Sequence, residues 1–292
     1  MRKSQQHIFV RKQKLIVWLV AVAGITALLS CEDIMNVSFS GDSTQILVVE
    51  GGITTDTTWH RVKLSYTGDY FDKKEKVAVT GAEVSISDGT QTISLRELVN
   101  GEYYTDINVY GEVGKTYTLH VKLLDGREYS ASDYLRGCGT IDSISQSVNY
   151  NTWSGYGYDV LFYGREKEPA GDYYMYLLYL NGKLYSDTIT EVGFVSDEFI
   201  NGKYISEFQV YRIREADLLI RPAKVTLEMI SISKAYYDFL TALMIETVWR
   251  GTPWDGPPAN IPGNISNGGK GFFRASAVTR KSNIFFPLHR YN

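Results

Sequence analysis

Trp59-His60-Arg61-Val62-Lys63-Leu64-Ser65-Tyr66 alternates apolar and polar side chains, and that period of two decides the reading of the fold. Successive strand residues point to opposite faces, so Val62, Leu64 and Tyr66 share one face. Working outward, the same pattern recurs. Upstream, Gln45–Ile53 (QILVVEGGI) is a strand candidate. Downstream, Ala82–Ser87 (AEVSIS) stops at Asp88-Gly89, a hairpin-type turn dipeptide. Thr92–Leu95, Glu102–Thr105 and Thr116–Leu124 continue the series, and Asp125-Gly126 turns the chain into Arg127–Ala131. Short runs separated by turn signals every ~8–12 residues predict a β-sandwich of immunoglobulin-like size over residues 37–135.

The stretch after Thr140-Ile141-Asp142 predicts a second β-rich domain over residues 140–292. It is dense in aromatics. Tyr150–Tyr163 (YNTWSGYGYDVLFY) and Asp172–Tyr185 (DYYMYLLYLNGKLY) hold a large share of the 22 tyrosines. Asn181-Gly182 divides the latter as a type I′ hairpin turn would. Tyr204–Ile213 and Lys224–Ile232 read as further strands. One helix is expected near 234–250, packed across a sheet. Ser233 is placed to cap it, and Tyr236, Tyr237, Leu240, Leu243, Met244 and Val248 recur at helical spacing. Gly251 suits its C-terminal cap, and Pro253 prevents continuation. Residues 252–273, rich in Gly, Pro and Asn, read as a loop whose length marks it as functional or mobile. The fold class is therefore mainly β: a sandwich, then a β-rich domain with one packed helix.

The chain has 292 residues, and its N-terminus reads as an address. Residues 1–30 carry Arg2, Lys3, Arg11, Lys12 and Lys14 and no acidic residue, followed by the apolar run Leu15–Leu29 (LIVWLVAVAGITALL). That run is shorter than the ~20 residues of a membrane span and fits a secretory signal. It ends in Leu28-Leu29-Ser30-Cys31, which resembles the lipobox of bacterial lipoproteins. In such a motif Cys31 is lipidated, palmitate being a typical acyl group, and becomes the new N-terminus. An uncleaved anchor helix with a chance cysteine is the alternative, and both tether the chain to a membrane. Residues 31–44 form the tether. Glu32 and Asp33, which follow the cysteine, resemble the acidic surface-export signal of Bacteroidota lipoproteins, and that resemblance favours the cell surface over the periplasmic face.

Removing residues 1–30 deletes five basic residues and no acidic one, which takes the formal net charge from −3 to −8. An acidic chain is not a nucleic-acid binder by charge. With Cys31 acylated, Cys138 is the one thiol left, so an intrachain disulfide is excluded. Cys138 sits in Arg136-Gly137-Cys138-Gly139 and reads as a linker residue without a role.

Sequence motifs for chemistry are absent. His60, His120 and His289 are far apart, with no HxxxH pair and no CxxC, so no metal site and no cofactor are expected. Gly263–Gly268 has the wrong spacing for a nucleophile elbow. Gly269-Lys270-Gly271 lacks both the first glycine of a phosphate loop and its Ser/Thr. Asp69, Asp72, Glu191 and Glu198 read as ordinary strand-edge and loop acids, and no catalytic residue is assigned. Aromatics are the one enriched feature. They fill β cores, and when exposed they anchor ligands or partners at low entropic cost. Trp153, Tyr156, Tyr158, Trp249 and Trp254 are the candidate contacts, because they lie at Gly- or Pro-rich positions outside regular alternation.

An ordered set of segments carries a family resemblance: Leu47–Asp56 (LVVEGGITTD), Gly81–Gly89 (GAEVSISDG), Gly101–Asp106 (GEYYTD), Gly114–Leu123 (GKTYTLHVKL), Asp142–Ile144, Ser231–Leu240 (SISKAYYDFL) and Pro257–Phe273 (PPANIPGNISNGGKGFF). Together they resemble the Bacteroidota outer-membrane lipoprotein family known as domain of unknown function 4249, over about residues 32–280. The chain departs at Gly52, where a bulky residue is usual, and at Gly271-Phe272-Phe273. The resemblance implies an outer-membrane, lipid-anchored, non-enzymatic protein encoded beside TonB-dependent receptors, acting as accessory or ligand-capturing partner of such a transporter. A structural or assembly subunit of an envelope complex is the alternative, and a hydrolase whose carboxylates converge only in space is a third.

Overall fold

Val62 and Leu64 are fully buried and Arg61 is exposed, as the alternation requires. The computed structural model describes residues 45–67, 77–151, 155–166, 171–198, 202–214, 221–248 and 261–287. The segments read as signal and tether, with Cys31, lie outside the described residues. Among the described residues no helix is long and apolar enough to cross a membrane.

The chain is mainly β with a single helix among the described residues. Two sheets build the first half. One contains β1 (Leu47–Thr54), β2 (Arg61–Tyr66), β5 (Arg96–Val99) and β6 (Glu102–Tyr104). The other contains β3 (Glu83–Ser87), β4 (Thr92–Ser94), β7 (Thr116–Lys122) and β8 (Glu128–Tyr134), in the order β4-β3-β7-β8. Val49, Val62 and Leu64 of the first sheet and Ile86, Leu119 and Val121 of the second belong to one buried cluster, as the facing sheets of a sandwich require.

The strand read at Arg127–Ala131 runs on to Tyr134, with Tyr129, Ala131 and Asp133 inward. The C-terminal part of the chain returns to this sandwich. β16 (Lys270–Ser276) pairs in parallel with β1, giving the order β16-β1-β2-β6-β5. Its first residues, Lys270–Phe273, fall in the stretch read as loop. Parallel pairing with a strand some 220 positions earlier leaves no local turn signal, so composition alone pointed to a loop. Two glycines serve this seam. A Cβ on Gly52 would collide with the Arg274 carbonyl oxygen, and one on Gly271 with that of Val49; Gly271 also has φ +91°. Phe272 and Phe273, next along β16, are both buried.

The second half carries two further sheets. β9 (Thr140–Asn151), β10 (Gly155–Arg165) and β14 (Tyr204–Arg214) form one, in the order β14-β10-β9. The other holds β11 (Tyr173–Leu180), β12 (Lys183–Leu184), β15 (Ala223–Ile232) and β17 (Val278–Phe285) in the order β12-β11-β15-β17, with β13 (Gly193–Ser196) also on β11. Asn181 and Gly182 both have positive φ, 51° and 84°, as the type I′ turn between β11 and β12 demands. Helix α1 (Lys234–Val248) begins where Ser233 caps it: Tyr236 N donates to Ser233 Oγ at 3.3 Å. Tyr236 and Phe239 pack on Phe272 of β16, and Tyr237 on Tyr173 and Phe194. The expected packing of the helix across strands is thus realised, with Leu240 as its one buried residue among those described.

Cys138 is not a linker residue. It is buried in the main core with Sγ 3.4 Å from the Met229 carbonyl. A flexible glycine flank hid this in the sequence, because the covering residues come from β15.

Candidate aromatic interaction surface

Strands of 12 and 11 residues make β9 and β10 about twice the usual length, so their hairpin outruns the core that covers its base. Ile144, Gln146, Val148 and Tyr150 lie opposite Phe162, Val160, Tyr158 and Tyr156 on one face. At the base of that stripe Ile144, Phe162, Val160 and Tyr158 are buried. Toward the tip it opens to solvent: Val148 is 49% exposed, Tyr150 61% and Tyr156 49%. The rings of Tyr150 and Tyr156 sit 5.0 Å apart at 59°, a favourable tilted pair. The Gln146 amide bonds both backbone groups of Phe286, whose side chain is exposed.

The opposite face is stiffened by polar contacts. Asp159 is buried and accepts from Asn149 Nδ2 (2.9 Å), Gln209 Nε2 (3.2 Å) and Arg212 Nη1 (3.0 Å). Arg212 Nη2 also donates to the Asn149 and Gly155 carbonyls, tying both arms together near the tip. A rigid backbone that presents exposed aromatics loses little entropy when it docks on a ligand or partner.

Of the sequence candidates, Tyr156 stands in this surface. Tyr158 does not: it is fully buried, packed where the hairpin enters the core, and cannot contact a ligand. Two residues along the same face separate them, and whether each is inside depends on how far the cover extends, which local sequence does not encode. Trp153, Trp249 and Trp254 lie outside the described residues. Tyr150, Val148 and Phe286 were missed. Tyr150 lay within the quoted aromatic run, and its pairing with Tyr156 follows once the turn between them is placed.

A second cluster escaped the sequence search. Glu166, Asp172 and Asp197 bring carboxylate oxygens within 4.8 Å of one another, and Glu166 and Asp197 are buried. Both Asp197 oxygens accept from Gly171 N at 3.0 Å, and Tyr174 donates to Glu166 Oε1 at 2.6 Å. Burial, then the Glu166 carboxylate, push the Tyr174 hydroxyl far above its ordinary value. An all-oxygen donor set suits a hard cation. Here, however, Gly171 and Tyr174 already engage Asp197 and Glu166. Asp197 also borders an open cavity of about 430 Å³ with Tyr173, Glu198, Lys234 and Asp238. Residues 166, 172 and 197 are too widely spaced for a motif, which is why no spacing rule finds them. Glu191, another acid of the sequence reading, pairs with Arg214 at 2.9 Å.

Fold and surface together define a mainly β protein with a stiff, aromatic-tipped hairpin. The chain belongs to the family of the domain of unknown function DUF4249, whose model matches residues 34–282. No curated protein matches it.

Proposed function

We propose that this chain is a lipid-anchored outer-membrane protein, facing the cell surface, that serves as accessory or ligand-capturing partner of a TonB-dependent transporter and catalyses no reaction. Cys31 carries the acyl anchor, and tethering raises the effective concentration of the folded part at the receptor. The observation that carries the reading is the exposed Tyr150–Tyr156 pair on a hairpin buttressed from behind. Exposed aromatics on a rigid element are the usual anchors of recognition surfaces.

The test is a gentle-detergent pull-down from native envelopes through a C-terminal tag, read by mass spectrometry. Near-stoichiometric recovery of a β-barrel receptor is expected. Recovery of an envelope complex without such a receptor supports the assembly-subunit alternative, and recovery of the chain alone removes both. Cys31→Ser is expected to release the protein from the membrane fraction.

The carboxylate cluster favours the hydrolase alternative, since convergent carboxylates are what glycoside hydrolysis requires. Its internal hydrogen bonds weigh toward a structural role. Turnover of any glycoside that Asp197→Asn abolishes would reinstate the enzymatic reading.

A further inference from the structure

The outer face of the β4-β3-β7-β8 sheet is not uniformly solvated. Its side chains form rows across the strands, about 4.8 Å apart within a row and about 6.8 Å between rows. In the row Thr92, Ser87, Thr118 and Ser132, the hydroxyls are mostly spent: Thr118 and Ser132 bond each other at 2.8 Å, and Ser87 bonds the Gln91 carbonyl. The next row is Ser94, Ser85, His120 and Ser130. Among the described residues no side-chain hydrogen bond engages Ser94, Ser85 or His120. These three groups form the floor of a groove of about 800 Å³, within the size range of small-molecule sites.

One wall of the groove is built rather than incidental. The segment carrying Asn264, Ser266 and Asn267 is clipped along β8 like an added strand, though its bonds come largely from side chains. Asn264 Nδ2 donates to Ser132 O at 3.2 Å, and Asn267 Nδ2 to Glu128 O at 2.7 Å. Ser266 N donates to Ser130 O at 2.8 Å and its Oγ accepts from Ser130 N at 2.7 Å. This part of the 252–273 stretch is therefore a fixed strut. It leaves Ser266 and Asn267 facing Ser94 and Leu95 across the groove.

Charge narrows the ligand. The adjoining row is Glu83, Lys122 and Glu128, with Lys122 Nζ 3.9 Å from Glu128. Two carboxylates against one ammonium repel phosphate, sulfate and other anions. Unspent hydroxyls and an imidazole, each able to donate or accept, match a ligand that presents both donors and acceptors and no charge. We infer that this groove binds a neutral oligosaccharide. The inference goes beyond the transporter reading and does not depend on it, because the test uses the purified chain with no receptor.

The full chain in detergent is titrated with neutral hexasaccharides of glucose, xylose and mannose, and with a sulfated oligosaccharide, by calorimetry. Saturable binding of at least one neutral hexasaccharide is expected. His120→Ala and the double change Ser85→Ala with Ser94→Ala should each weaken it about tenfold. These side chains are on the outer face, so the variants should keep the wild-type circular dichroism. No binding by any neutral hexasaccharide, preference for the sulfated one, or binding insensitive to the groove variants would overturn the inference.

Discussion

Arg280 grips Asp56 from 224 positions away with Nη1–Oδ1 at 2.9 Å and Nη2–Oδ2 at 2.5 Å, while its Nε donates to the buried Glu228 at 2.5 Å. One guanidinium thus joins β17, β15 and the loop after β1. The Asp56 arm is partly solvated and screened, so the energetic weight lies on Glu228.

Removing that cation strands a buried carboxylate. Arg280→Ala is expected to cost about 3 kcal/mol, and Arg280→Lys less, read as a drop in urea midpoint at unchanged slope. Glu228→Gln with Arg280→Met should recover part of the loss.

Phe272 and Phe273 divide two tasks between adjacent positions. Phe273 is fully buried in the main core, whereas Phe272 packs under α1 with ring centres 4.9 Å from Tyr236 and 5.5 Å from Phe239. Phe273→Ala should cost about 3–5 kcal/mol globally. Phe272→Ala should instead show first in α1, as faster amide hydrogen exchange over 234–248 before the sheets respond.

His60 makes stability depend on pH. It is buried, with Nε2 3.1 Å from the Val109 carbonyl and Nδ1 3.4 Å from Thr54 N. That pair of contacts requires the neutral ring, Nε2–H donating and Nδ1 accepting. Burial holds its pKa below the ordinary value. A depressed folded pKa means the contribution is complete above the unfolded value of about 6.5 and is lost as pH falls through the folded one. The urea midpoint should decline as pH falls below about 7, and His60→Gln should flatten that decline.

Tyr158 and Tyr156 should behave oppositely, although both were read from sequence as contacts. Tyr158→Ala removes a fully buried side chain and should cost about 3–5 kcal/mol. Tyr150→Ala and Tyr156→Ala should each stay within about 1 kcal/mol of wild type.

Local physics made much of this fold legible. Alternation at Arg61–Tyr66, the Asn181-Gly182 turn and the Ser233 cap each depend on residues within a few positions, and each is realised. The arm Thr140–Asn151 carries Ser143, Ser145, Ser147 and Asn149 along one face and Gln146 within the other, so only its pairing with β10 marks it as a strand. β16 depends on β1, and the Asn264–Asn267 strut on β8, across more than a hundred residues. Such partners leave no periodic trace. The candidate surface was legible in type, as aromatics at glycine-rich positions, but not in membership, because burial at Tyr158 and exposure at Tyr156 are set by where the core ends.

The most direct measurement repeats the envelope pull-down with wild type beside the Tyr150→Ala, Tyr156→Ala double variant, at matched expression and membrane retention. A β-barrel receptor should accompany the wild type and fall at least about tenfold with the variant, as for the loss of an interface hot spot. Equal receptor recovery with both would show that the hairpin is not the contact, and recovery of the wild type alone, without any receptor, would remove the transporter role itself.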